Sequence, residues 1–106
     1  MEEGNTLIAM DKKDAKKELE RIIKEYRLKK YGFWQSLMDR KEQITFDFTN
    51  DKGNWYQVEI QAFYDSEQDR TIRVSFSIDD GKLRVFAPMT DDFIINSQNE
   101  FVGEKG

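Results

Sequence analysis

Two hydrophobic periods divide this chain. Between Ala15 and Tyr26 the apolar residues Ala15, Leu19, Ile22, Ile23 and Tyr26 recur at the spacing of one helix face. Lys, Arg and Glu fill the positions between, with Glu20 four residues before Lys24, as suits a solvated face. Asp11 offers an N-cap oxygen, and Asp14 follows three residues later like a weakened capping box. With Gly32 as the C-terminal stop, the pattern predicts one amphipathic helix from Lys12 to Tyr31. Ahead of it, Met1 to Met10 reads as an arm whose Leu7, Ile8 and Met10 can dock. Phe33, Trp34, Leu37 and Met38 fit either a short second helix or a docked loop that closes one end of the core.

From Ile44 the period becomes two. Ile44, Phe46 and Phe48 alternate with polar residues, and so do Tyr56, Val58, Ile60, Ala62 and Tyr64. A three-residue connection, Asp51-Lys52-Gly53 with a left-handed glycine, pairs Asn50 with Asn54. Phe48 then meets Tyr56, Phe46 meets Val58 and Ile44 meets Ile60. A slip of one residue would reverse every face, so this agreement fixes the register.

Residues Thr71 to Pro88 alternate on both sides of Asp80-Gly81. A two-residue turn there pairs Ile78 with Leu83, Phe76 with Val85 and Val74 with Ala87. A three-residue turn would instead place Lys82 and Arg84 among apolar side chains, and buried unpaired charge is far costlier than any difference between turn types. The two-residue turn is therefore expected, and Asp79 and Asp80 need no catalytic explanation. Pro88 ends that strand or marks an edge. Phe93 to Ile95 and Phe101-Val102 flank a turn at Asn96 to Asn99, a small terminal hairpin or strand, and residues 104–106 are expected to fray. The fold class is α+β: an N-terminal amphipathic helix packed on a four-stranded antiparallel meander, in one domain spanning residues 1–106.

Composition narrows the chemistry. The chain is 36% charged, 38% hydrophobic and 13% aromatic, enough apolar area for a modest core. It has neither cysteine nor histidine. Disulfides, thiolate metal sites, Ser-His-Asp catalysis and the commonest transition-metal ligand are thereby excluded. A formal charge of −4 argues against nucleic acid as a partner. No run approaches a membrane span and the first residues lack a signal pattern, so a cytoplasmic, bacterial-type protein is expected.

Candidate chemistry sits on the sheet face away from the helix. Trp55, Gln57, Glu59, Gln61 and Phe63 would share it with Arg73, Ser75, Ser77, Arg84 and Phe86. A solvated face has no need of large aromatics, and aromatics beside arginines have the make-up of an interface anchor. Trp55, Phe63, Arg73, Arg84 and Phe86 are thus the partner-binding candidates, unless the terminal segment or Trp34 covers them. The same residue types could stack single-stranded nucleic acid, but too few are basic to favour it. Asp65, Glu67 and Asp69 imitate a calcium loop until Arg70 takes the glycine position and Phe76 that of the closing glutamate. Asp47 and Glu59 lie on strands with no cleft implied for hydrolysis. No glycine-rich phosphate loop is present.

The segment from Trp55 to Glu104 resembles an uncharacterised bacterial domain family. The resemblance rests on RVSFSIDDG (Arg73 to Gly81), FAP (Phe86 to Pro88), FI (Phe93-Ile94) and FVGE (Phe101 to Glu104). It departs at Lys82-Leu83, where glycine and tryptophan are expected, and in the turn at Asn96 to Asn99. It implies a shared fold and an ordered C-terminal segment, and transfers no activity.

The function expected is that of a non-catalytic protein-binding module, a toxin-neutralising immunity-type or regulatory protein, without metal or cofactor. A small acidic domain suits that work because its charge steers association with a basic surface. The alternative is a small-ligand carrier or minor enzyme with a pocket between helix and sheet, lined by Tyr26, Tyr56 and Tyr64. A third reading is a homo-oligomer paired through the open face.

Overall fold

A computed structural model describes residues 11–81 and 88–104 of the chain. Helix α1 (Lys12–Tyr26) begins where Asp11 accepts the N–H of Asp14 through its side chain, at 3.1 Å. It ends five residues before the expected Tyr31. One turn beyond Tyr26 the apolar stripe runs out into Lys29 and Lys30, while Leu28 points into solvent at 82% exposure, so nothing holds a further turn against the sheet. Gly32 is no stop; it lies inside α2 (Tyr31–Asp39), and the ambiguous aromatic stretch is that second helix. Lys30 supplies no side-chain cap. The N–H of Tyr31 instead donates to Asn99 Oδ1 at 2.7 Å, a cap borrowed from the far end of the chain.

Four strands follow: β1 (Ile44–Thr49), β2 (Trp55–Ser66), β3 (Thr71–Asp79) and β4 (Met89–Ile95). They form one antiparallel meander in the order β1-β2-β3-β4. The first hairpin has the expected register, Ile44 with Ile60, Phe46 with Val58 and Phe48 with Tyr56, and Gly53 is left-handed at φ 82°.

The fourth strand is not the predicted one. Ile78, Phe76 and Val74 pair with Met89, Asp91 and Phe93 in place of the expected Leu83, Val85 and Ala87, and residues 82–87 lie outside the described residues. Packing explains the choice. Phe93 lands among Trp34, Phe76 and Phe101, with ring centroids 5.3–6.1 Å away.

Both helices cover the same sheet face. Tyr56, Val58, Ile60, Ile72, Val74, Phe76, Ile78, Phe93 and Ile95 form its buried rows, closed by Leu19, Ile22, Trp34 and Leu37. The C-terminal segment folds back onto this layer. Phe101 bridges Ile95, and Glu104, expected to fray, receives both Nη atoms of Arg27 at 2.6 and 2.7 Å. That pairing holds the Glu104 carboxyl below its usual range, while the guanidinium lies 3.8 Å from the Phe101 ring centroid.

Candidate functional site: the uncovered sheet face and its open flank

Pairing by register lays out the uncovered face in rows. Thr45-Glu59-Ser77-Thr90, Asp47-Gln57-Asp79 and Gln61-Ser75-Asp92 run across the strands, and Phe63-Arg73-Ile94 forms another row at one end. Trp55 is 40% exposed and Phe63 is 44% exposed, so neither the helices nor the C-terminal segment covers them. They stand eight residues apart on one strand, about 26 Å at 3.3 Å per residue. The two aromatics therefore bracket the face rather than clustering. Trp55 lies across from Gly81 (φ 79°), whose missing side chain makes room for the indole; a Cβ there would collide with the ring.

The electrostatics differ from the expected aromatic-plus-arginine surface. Arg73 is engaged within the molecule: Nε and Nη2 donate to Asp65 Oδ1 at 3.0 and 2.8 Å, and Nη1 donates to Asp92 Oδ2 at 2.9 Å. These bonds tie β2, β3 and β4 together. Arg84 and Phe86 lie outside the described residues. Among the described residues Asp47, Glu59 and Asp79 have no ion-pair partner, although Asp47 and Asp79 flank the same glutamine, Gln57. Half of this row, Asp47 beside Gln57, follows from the expected β1–β2 register; Asp79 joins it only through the β2–β3 pairing, which the sequence left open. The calcium-like run does not assemble either, since Asp65 is held by Arg73 and Arg70 stacks on Tyr64 at 4.6 Å. Among the described residues no group of three acidic side chains is placed to hold a metal ion.

The three tyrosines do not share a cavity. Tyr56 is buried and donates its hydroxyl to Asp14 Oδ2 at 2.7 Å. Tyr26 packs on Trp34 and Phe76. Tyr64 lies at the other end of β2, where it lines an open cleft of about 640 Å³ with Met38, Lys41, Gln43, Ala62, Phe63 and Glu67.

The most perturbed carboxyl is structural in placement. Asp14 Oδ2 also accepts from Asn50 Nδ2 and Asn54 Nδ2, each at 2.8 Å, and Lys52 Nζ lies 3.7 Å from Oδ1. The hydrogen bonds from Tyr56 and the asparagines outweigh its desolvation and lower its pKa to about 2. Burial first, and then the same contact with Asp14, push the Tyr56 phenol well up. The asparagine bonds tie α1 to the β1–β2 turn.

Among the described residues no helix is long and apolar enough to cross a membrane. No protein-family model, curated protein or solved structure matches the chain.

Proposed function

We propose that this chain is a non-catalytic protein-binding module whose uncovered sheet face masks or regulates a basic protein surface, a toxin-neutralising immunity-type protein being the concrete form. The observation that carries this reading is the pair of exposed aromatics, Trp55 and Phe63, bracketing the unneutralised row Asp47-Gln57-Asp79. Aromatic anchors supply buried area on association, and unpaired carboxylates raise the rate of encounter with a cationic partner. A protein with a basic surface is the partner class that this chemistry favours. Arg73 serves the reading by holding Asp65 and Asp92 in place beside Phe63.

The test is comparative capture from a lysate of the source organism, using the tagged wild type and a Trp55→Ala, Phe63→Ala, Asp47→Lys variant shown by circular dichroism to be folded. One basic protein retained by the wild type and lost with the variant is expected. Capture of that protein should weaken steeply as salt rises, because exposed charges are screened beyond about 10 Å at 0.1 M. Identical captures by the two proteins would remove the face from consideration.

A further inference from the structure

Strand β2 is twice as long as its neighbour. Its residues Trp55 to Ile60 pair with β1, but 61–66 have β3 on one side only. The hydrogen-bond phase shows which backbone groups this leaves open. Asn50 N–H donates to Asn54 C=O at 2.9 Å, so the Asn50–Asn54 pair is a hydrogen-bonded one. Antiparallel pairs alternate between bonded and non-bonded, so Phe48–Tyr56, Phe46–Val58 and Ile44–Ile60 are bonded too. Continuing by twos, Ala62 and Tyr64 direct their N–H and C=O groups to the side that β1 has vacated. No backbone group of the described residues meets them there.

The vacancy has a cause in the preceding helix. α2 ends in a Schellman motif: Lys41 is left-handed at φ 55°, its N–H donates to Met38 C=O, and Glu42 N–H donates to Leu37 C=O at 3.1 Å. Glu42 would otherwise continue the ladder opposite Ala62. Its donor is committed to the helix, and the chain joins the sheet only at Ile44. What remains is a slot one strand wide, collinear with β1. Met38, Ala62 and Tyr64 give it an apolar floor on the helix side, and Phe63 borders it on the other.

We propose that this slot is a strand-addition site that takes an extended segment of a partner protein, apolar at alternate positions and carrying a basic residue. Main-chain bonds to Ala62 and Tyr64 supply affinity, and one apolar side chain enters between Met38, Ala62 and Tyr64. Charge favours the basic residue through the face beside the slot. Within the lining Glu67 and Lys41 each lack an ion-pair partner among the described residues and offset one another, and Glu42 is matched by Arg40 at 2.8 Å. The unneutralised carboxylate of Glu59, two residues from Gln61 on the uncovered face, then sets the sign. This inference rests on the reading that the domain binds proteins, and it adds the mode of docking.

The full chain would be screened against a displayed library of random eight-residue linear peptides, and an enriched peptide resynthesised with single N-methyl groups along its backbone. Strand addition predicts losses of about tenfold at alternate positions and little change between them, since each methyl removes one donor. Ala62→Pro should abolish binding without unfolding the sheet, because the lost N–H faces the slot and not β3; peptide N-methylation gives the same answer with the protein untouched. Enrichment that ignores N-methylation but needs Trp55 would overturn strand addition and leave the face reading standing. Failure to enrich any peptide, or light scattering that shows two copies paired through this edge, would overturn the proposed occupant.

Discussion

At the start of α1 a carboxylate performs a task that no apolar side chain can. Asp14 is 3% exposed, yet three donors converge on one of its oxygens, so burial does not leave it bare. Because its folded pKa is near 2 and its unfolded value is 3.8, the charge stabilises the fold fully above pH 4. That contribution is lost as pH falls from about 4 through 2, and linkage sets it on the order of 2 kcal/mol. Asp14→Asn keeps the shape and one acceptor but removes the charge. Urea denaturation should therefore find the variant weaker by about 2 kcal/mol at pH 7, with the two proteins converging near pH 2. A constant gap across that range would mean that packing, not charge, decides the site. In the sequence, Asp14 reads as half of a capping box, and Asp11 does cap it. Its burial stayed hidden because the donors Asn50, Asn54 and Tyr56 arrive only through tertiary pairing.

Elements were legible where one period had no competitor. The β1–β2 register followed from matching faces, and the helix start followed from Asp11. The choice of fourth strand failed because local pattern was compared with local pattern, while the decision lay in Phe93 meeting Trp34, Phe76 and Phe101. The end of α1 failed for a different reason: Gly32 reads as the stop, although the apolar stripe already runs out at Lys29 and Lys30 and Leu28 is exposed. Turn chemistry still yields predictions at this scale. Gly81→Ala adds left-handed strain and drives a methyl into the Trp55 indole, so a loss of about 1–2 kcal/mol is expected. Since Trp34 is fully buried, a change in tryptophan emission in the folded variant would report Trp55. An unaltered spectrum and stability would show that the indole does not rest on this turn. At the end of α2 the sign reverses: Lys41→Gly relieves a left-handed lysine and should stabilise by about 0.5–1 kcal/mol in thermal melts. A lower melting temperature there would mean that the lysine side chain contributes more than its backbone costs.

For the molecule as a whole, two sides of one sheet have been given opposite work. The helix side is packed until Val58, Ile60, Val74 and Phe76 have no exposure, while the other side keeps Asp47 and Asp79 on either side of an uncharged Gln57, with Glu59 diagonal to both. Diagonal neighbours lie about 7–8 Å apart, and Asp47 and Asp79, two strands apart, about 10 Å, all within roughly one Debye length, so the free domain carries repulsion that a cationic partner would relieve. Were stability the only requirement, a lysine at position 57 would serve better. Gln57→Lys should accordingly raise the stability of the isolated domain by up to about 1 kcal/mol at low ionic strength, and Gln57→Glu should lower it by a similar amount. Both effects should shrink in 1 M salt, where the screening length falls to about 3 Å. The lysine variant should also bind the captured partner more weakly, because the charge that draws the two together is already answered within the chain. Equal melting temperatures for the Lys and Glu variants at low salt would show that the three carboxylates do not act as one field, and the electrostatic half of the binding proposal would fall with them.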